Sequence, residues 1–153
     1  SMRAGLATLD VLERDALGER GARLGEDLRA RLRARVAGHE MVAEVRGVGM
    51  FNTIEFKRPE SLALKLLVQG VDGLHPGLFG QLCVRALFHD SRVLTQMAGH
   101  DHRCLKVLAP LVATEAETTR AVEALGQLSD TMHHEKTRFF GQGMKIGARL
   151  LSS

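Results

Sequence analysis

Val45-Arg46-Gly47-Val48-Gly49-Met50-Phe51-Asn52-Thr53-Ile54-Glu55-Phe56 is the stretch that sets the fold class. From Met50 onward, Met50, Asn52, Ile54 and Phe56 alternate with Phe51, Thr53 and Glu55, and period two in β-forming residues predicts a strand. Val42-Ala43-Glu44-Val45-Arg46 reads as its partner. Glycines at 47 and 49 permit positive φ, so Gly47-Val48-Gly49 is the link between two extended segments. A dinucleotide loop would need a third glycine and a following helix, and neither is present.

Upstream, the periodicity changes. Leu6, Leu9, Val11 or Leu12, Leu17, Leu24, Leu28, Leu32 and Val36 recur at helical spacing. Gly18, Gly21 and Gly25 each weaken a helix by roughly 1 kcal/mol relative to alanine, which predicts two helices broken near Leu17-Gly18, with Gly38 closing the second.

Downstream, Lys57-Arg58-Pro59 ends the second strand and a short helix is expected over Glu60 to Val68. Gly70, Gly73, Pro76 and Gly77 then predict an irregular loop. A helix follows over Leu78 to Phe88. Val93-Leu94-Thr95-Gln96 and Leu105-Lys106-Val107-Leu108 read as two short strands that can pair, separated by a polar loop. Thr114 with Glu117 three residues on is a capping box ahead of Val122, Leu125 and Leu128. The pattern predicts one α+β domain over 4–131, with a small antiparallel sheet of three or four strands, helices on one side and long N-terminal helices before it. Residues 132–153 read as a tail or a short terminal helix.

Composition excludes several classes. The chain has 153 residues, 44% hydrophobic and 25% charged, with a net charge of +3, the profile of one ordinary globular core. No apolar run reaches the roughly 18 residues of a membrane span, and Ser1-Met2-Arg3 does not open a secretory signal. Cys83 and Cys104 sit among apolar neighbours without CxxC spacing, which points to small buried hydrophobes in a reducing cytoplasm. Translation does not begin with serine, so Ser1 reads as a residue left by tag removal, with the natural protein extending upstream. Arg29, Arg31, Arg33 and Arg35 share their region with Glu19, Glu26 and Asp27, and no Trp or Tyr offers a stacking platform. A solvated helix face is expected there rather than a nucleic-acid surface.

Chemistry-bearing patterns are few. His100-Asp101-His102 and His133-His134 are the only candidate metal clusters, and neither has a third ligand of determined position, so loop solvation is expected and no metal. There is no Gly-x-Ser-x-Gly and no sequence-adjacent base for either cysteine, so no catalytic residue is assigned. Lys106 stands apart: inside Leu105-Lys106-Val107-Leu108-Ala109-Pro110-Leu111, its ammonium must reach water or an anion, at a sheet edge or in a site.

Taken together and in order, several segments resemble the class III, ornithine-aminotransferase-like pyridoxal-phosphate aminotransferases, over roughly residues 4 to 130. Gly5-Leu6-Ala7-Thr8-Leu9-Asp10-Val11-Leu12-Glu13 is similar to the helix leading into that family's C-terminal small domain. Val45 to Phe56 is similar to its Val-Arg-Gly-x-Gly strand pair ending in Ile-Glu. Arg92-Val93-Leu94 resembles its Val-Leu strand, and Lys106-Val107-Leu108-Ala109-Pro110-Leu111 falls on its Arg-x-x-Pro-Pro-Leu segment.

The resemblance implies a C-terminal fragment of an enzyme that moves an amino group between an amino donor and an oxo acid or aldehyde. Pyridoxal 5'-phosphate would belong to a preceding large domain. None of Lys57, Lys65, Lys106, Lys136 and Lys145 matches the Schiff-base segment, so no cofactor is expected on this chain and no activity from it alone. The implied partners are that large domain, the small-molecule donor and acceptor, and a second copy of the parent in a homodimer, with no nucleic acid and no membrane. Lys106 occupies the place of the family's carboxylate-gripping arginine, keeping the charge but losing the planar fork. Ala109 replaces the first proline. A different reading of the same chain is a free-standing interaction or dimerisation module without catalysis.

Overall fold

A computed structural model describes residues 2–99 and 102–151. The elements run α1 (Met2–Arg14), α2 (Leu17–Val36), β1 (Val42–Val48), β2 (Phe51–Phe56), α3 (Leu62–Leu74), α4 (Leu78–Ser91), β3 (Gln96–Ala98), β4 (Cys104–Leu108), α5 (Glu115–His134) and α6 (Lys136–Leu151). The strands form one antiparallel sheet in the order β1-β2-β4-β3. This is the α+β fold the alternation predicts.

Alternation also decides which face the helices cover. Val45, Ile54 and Leu105 share a rung by register and are all buried, with Phe56 and Val107 on the same face. Against that face pack Leu28, Leu32 and Val36 of α2, Phe79 of α4 and Leu125 of α5. At about 25 cal/mol per Å² of apolar area removed from water, this one continuous core is the main source of stability. Phe79 lies edge-on to Phe56 at 5.4 Å and stacks on Phe140 of α6 at 6.4 Å. Cys83, wholly buried in α4, has its thiol pushed well above its ordinary range by desolvation.

The break between α1 and α2 falls at Asp15-Ala16, two residues ahead of the place expected from the glycines, and Ala16 takes φ 45°. Gly21 and Gly25 do not interrupt α2; both are buried. A Cβ on Gly25 would lie 1.9 Å from the Gly49 carbonyl oxygen, so this residue exists to let the helix touch the β1-β2 turn. Gly49, at φ 53°, makes that turn with Met50. Met50 is therefore a turn residue docked on α2, not the first residue of the strand as the alternation suggested.

Three further expectations need correction. The helix placed at 60–68 runs to Leu74 straight through Gly70 and Gly73, because Leu64, Val68 and Val71 bury one face of it. The strand placed at Val93–Gln96 lies instead at Gln96–Ala98. Arg92 turns into the left-handed region at the end of α4 and the Val93 amide donates to Leu87 O, which holds the chain to the helix before pairing starts. Residues 136–151 form the full helix α6, which packs on α3, α4 and α5 with Phe139 and Phe140 buried. The capping box is present: Thr114 Oγ1 accepts from the Glu117 amide at 3.2 Å, and Glu117 Oε2 accepts from the Thr114 amide at 2.8 Å.

Candidate functional site

The sheet face opposite the core is not covered by helices, and its rungs follow from the register. The first rung is Val48, Phe51 and Leu108, exposed at 81%, 74% and 51%. Side by side, they make an exposed apolar patch on this face. Arg46, Thr53, Lys106 and Gln96 form the second rung, and Glu44, Glu55, Cys104 and Ala98 the third.

Arg46 leans toward the third rung. Its Nη2 donates to Glu55 Oε2 at 2.8 Å, the main cause of its raised pKa, and its Nε lies 2.7 Å from Glu44 Oε1, which adds to it. With both carboxylates drawn to Arg46, Lys106 is left in mid-sheet, half-buried, with no described carboxylate at ion-pair distance. Leu105 and Val107 on either side of it go into the core. Its backbone is held from the other direction, since Thr95 Oγ1 donates to Lys106 O. Lys106 also borders a cavity of about 600 Å³ next to the end of β4, with Leu94, Ala109, Val112, Arg92 and Arg120 on its wall.

Arg46 bridges two strands through Glu44 and Glu55, and a Cβ on Gly47 would fall 2.2 Å from Phe51 O. Of the metal candidates, His133 and His134 lie within the described residues in full. His100 and Asp101 lie outside the described residues, and His102 packs its ring over Gly77. His133 and His134 meet edge-on at 5.0 Å, and His39 lies 6.2 Å from His133. No group of three His, Cys, Asp or Glu among the described residues is arranged to hold a metal ion. His39 Nε2 sits 3.2 Å from Asp130 Oδ1, yet its pKa is lowered: burial outweighs the attraction of Asp130, helped by the charges of His133, Arg35 and His134. Asp130 in turn is held below its ordinary value by the Arg35 guanidinium.

The α2 arginines are not the evenly solvated face expected, although Arg33 stays exposed. Arg29, 6% exposed, donates from Nη1 to Gly49 O at 3.0 Å and to Asn52 Oδ1 at 2.9 Å, and pairs with Glu26. Arg31 donates to Thr118 and Thr119 of α5, Arg33 to Val45 O of β1, and Arg35 to Asp130 of α5. Arg20 donates to Leu111 O and Ala113 O. These are ties between elements. One signal could have found the first: Asn52 occupies a core position in the β2 alternation, and a buried amide needs a partner.

Comparison with known proteins adds a family to this geometry. The family model for aminotransferase class III matches residues 1–128. Diaminobutyrate–2-oxoglutarate aminotransferase of Rhizobium meliloti is 33% identical over 128 residues, covering 82% of this chain and 26% of that protein. The 5-aminovalerate aminotransferase of Pseudomonas aeruginosa is 28% identical over 131 residues, covering 84% and 28%. Among solved structures, a transaminase obtained by ancestral reconstruction superposes with a TM-score of 0.67 at 33% identity, covering 86% of this chain and 27% of that one. An Arthrobacter phospholyase crystallised with phosphoethanolamine gives 0.68 at 23% identity, covering 84% and 28%, and that likeness is one of fold. The chain spans about a quarter of the length of the curated relatives at this coverage.

Proposed function

The chain belongs to the class III aminotransferase family, and from that premise we propose that it is the C-terminal small domain of a pyridoxal-phosphate-dependent aminotransferase, in which Lys106 contacts a substrate carboxylate. The observation that carries this reading is the uncommitted ammonium of Lys106. It stands in the middle rung of an uncovered sheet face, after Arg46 has taken both neighbouring carboxylates. Its apolar flank, Val48, Phe51 and Leu108, supports a face that meets the remaining three-quarters of the parent's length. The same apolar flank also supports the alternative of a free-standing interaction module.

Class III aminotransferases use pyridoxal phosphate, whose carbonyl carries the amino group from donor to acceptor. None of this chain's lysines lies in a segment that matches the family's Schiff-base segment. Lys57 is exposed and paired with Glu60, and Lys65 and Lys145 are exposed. The one carboxylate on the wall of the cavity beside Lys106, Glu117, is engaged by Thr114. We therefore place the cofactor in the large domain, and assign to this chain only the holding of an anion. Lysine does this as a point charge, without the two-pronged geometry of arginine, so orientation of the carboxylate rests on the walls around it. A homodimer built through the large domain and a cytoplasmic location, in keeping with two unpaired thiols, complete the proposal. No helix among the described residues is long and apolar enough to cross a membrane.

The test is an NMR titration of the chain with 2-oxoglutarate, alongside an absorbance titration with pyridoxal phosphate. Shifts at Thr53, Gln96 and Lys106 that vanish in Lys106→Gln and persist in Lys106→Arg are expected, with no imine band. Shifts indifferent to Lys106→Gln sink the anion role. An imine band sinks the placement of the cofactor.

A further inference from the structure

The family model ends at residue 128, and α6 lies beyond it. Yet α6 contributes Phe140, with no exposed surface, and Phe139, 5% exposed, to the core. It approaches α3 and α4 along a seam of small residues. A Cβ on Gly143 would lie 2.3 Å from Leu82 Cδ1 and 3.3 Å from Val71 Cγ2; one on Gly147 would lie 2.8 Å from Leu74 Cδ1 and 3.1 Å from Leu78 Cδ2. Phe140, Gly143 and Gly147 thus form one stripe, three to four residues apart, laid on Val71, Leu74, Leu78, Leu82 and Phe79.

As a helix on its own, the segment is poor. It carries Gly141, Gly143 and Gly147 within Lys136–Leu151, each reducing helix population by about fivefold against alanine. Its first turn holds Lys136 and Arg138 and no acid, the wrong sign for the positive end of the helix dipole. A segment of this length is marginal in water even with good helix formers. Packing, chiefly along the seam, accounts for its shape, and Glu135, which leaves helical geometry at φ −108° and ψ 31°, is the pivot that joins it to α5.

We propose that α3 and α4 form a helix-docking groove, and that segment 136–151 fills it as a helix that exists only while docked. The groove selects an amphipathic helix with an aromatic residue and two small residues spaced as Phe140, Gly143 and Gly147 are. Undocking uncovers Phe79 and the leucines of the seam while leaving the sheet, α2 and α5 in place.

Gly141 separates this reading from plain core membership, because nothing lies within 4 Å of a Cβ built there. The experiment is native-state hydrogen exchange on the full chain and two variants. In the wild type, α6 amides are expected to exchange through an opening that leaves α5 and β4 protected. Gly141→Ala slows α6 exchange about fivefold without moving α5. Gly143→Val brings α6 to the rate of free coil, with α5 and β4 still protected, and that variant chain, unlike the wild type, binds an added 136–151 peptide that is coil when free. Exchange of α6 in step with α5, loss of α5 and β4 protection in Gly143→Val, or a helical free peptide overturns the proposal.

Discussion

The two faces of the β1-β2-β4-β3 sheet hold their cations on opposite terms. On the covered side Arg29 is sunk between α2 and the hairpin turn, with Gly49 O, Asn52 Oδ1 and Glu26 as partners. On the open side Lys106 stands between Thr53 and Gln96 in its rung, and the described carboxylates of that face, Glu44 and Glu55, are engaged by Arg46. The difference lies in desolvation. Burying a guanidinium is tolerable only when its donors are met, so Arg29 is a structural fixture. A half-buried ammonium with no carboxylate partner among the described residues keeps its charge available to whatever arrives.

The contrast can be broken at its strongest point first. Gly25→Val places side-chain atoms against the backbone of Gly49 and is expected to remove about 3–4 kcal/mol, read from the urea midpoint. Arg29→Met strands Asn52 Oδ1 and is expected to lose about 2 kcal/mol in the same assay, part of it recovered by adding Asn52→Leu, since removing both polar partners costs less than orphaning one. Thr114→Ala, which removes the α5 cap, is expected to lose about 1 kcal/mol.

Acid titration gives a smaller, directional effect. His39 resists protonation in the folded chain, so the unfolded chain takes the proton first, and stability falls as the pH drops through the ordinary imidazole value of 6.5. Asp130 is held down by Arg35 and Glu117 by Thr114; their contribution is full above the ordinary carboxyl range and is lost as the pH falls below it. His39→Gln should erase the upper step in thermal melts and leave the lower one. The least effect is expected at the open face: Lys106→Gln should change stability by no more than about 0.5 kcal/mol while abolishing carboxylate binding. A loss as large as that of Arg29→Met would mean the two faces are not different in kind.

Much of the fold was legible because it rests on periodicity. Ile54 and Phe56, then Leu105 and Val107, announce a one-sided sheet, and Thr114 with Glu117 announces the start of α5. What escaped was decided by contacts distant in sequence. A helical pattern treats Arg29 as solvent-facing, and only Asn52 in a core position hinted otherwise. Gly70 and Gly73 look like breakers until Leu64, Val68 and Val71 find their core. Segment 136–151 looks like a tail because its helicity depends on Leu74, Leu78 and Leu82, far from it in the chain. At the candidate site, Lys106 stood out in the sequence as a charge in an apolar run, but the reason it stands unpaired, Arg46 drawing off Glu44 and Glu55, required the register of three strands.

Cys83 gives this architecture a clock. Its thiol is sealed inside α4 and kept protonated, whereas Cys104 stands half-exposed beside Arg46. Since the thiolate is the reactive form, an alkylating reagent meets Cys104 in every molecule and Cys83 only in molecules that have opened. The rate of the second modification is then a direct count of how often the core comes apart.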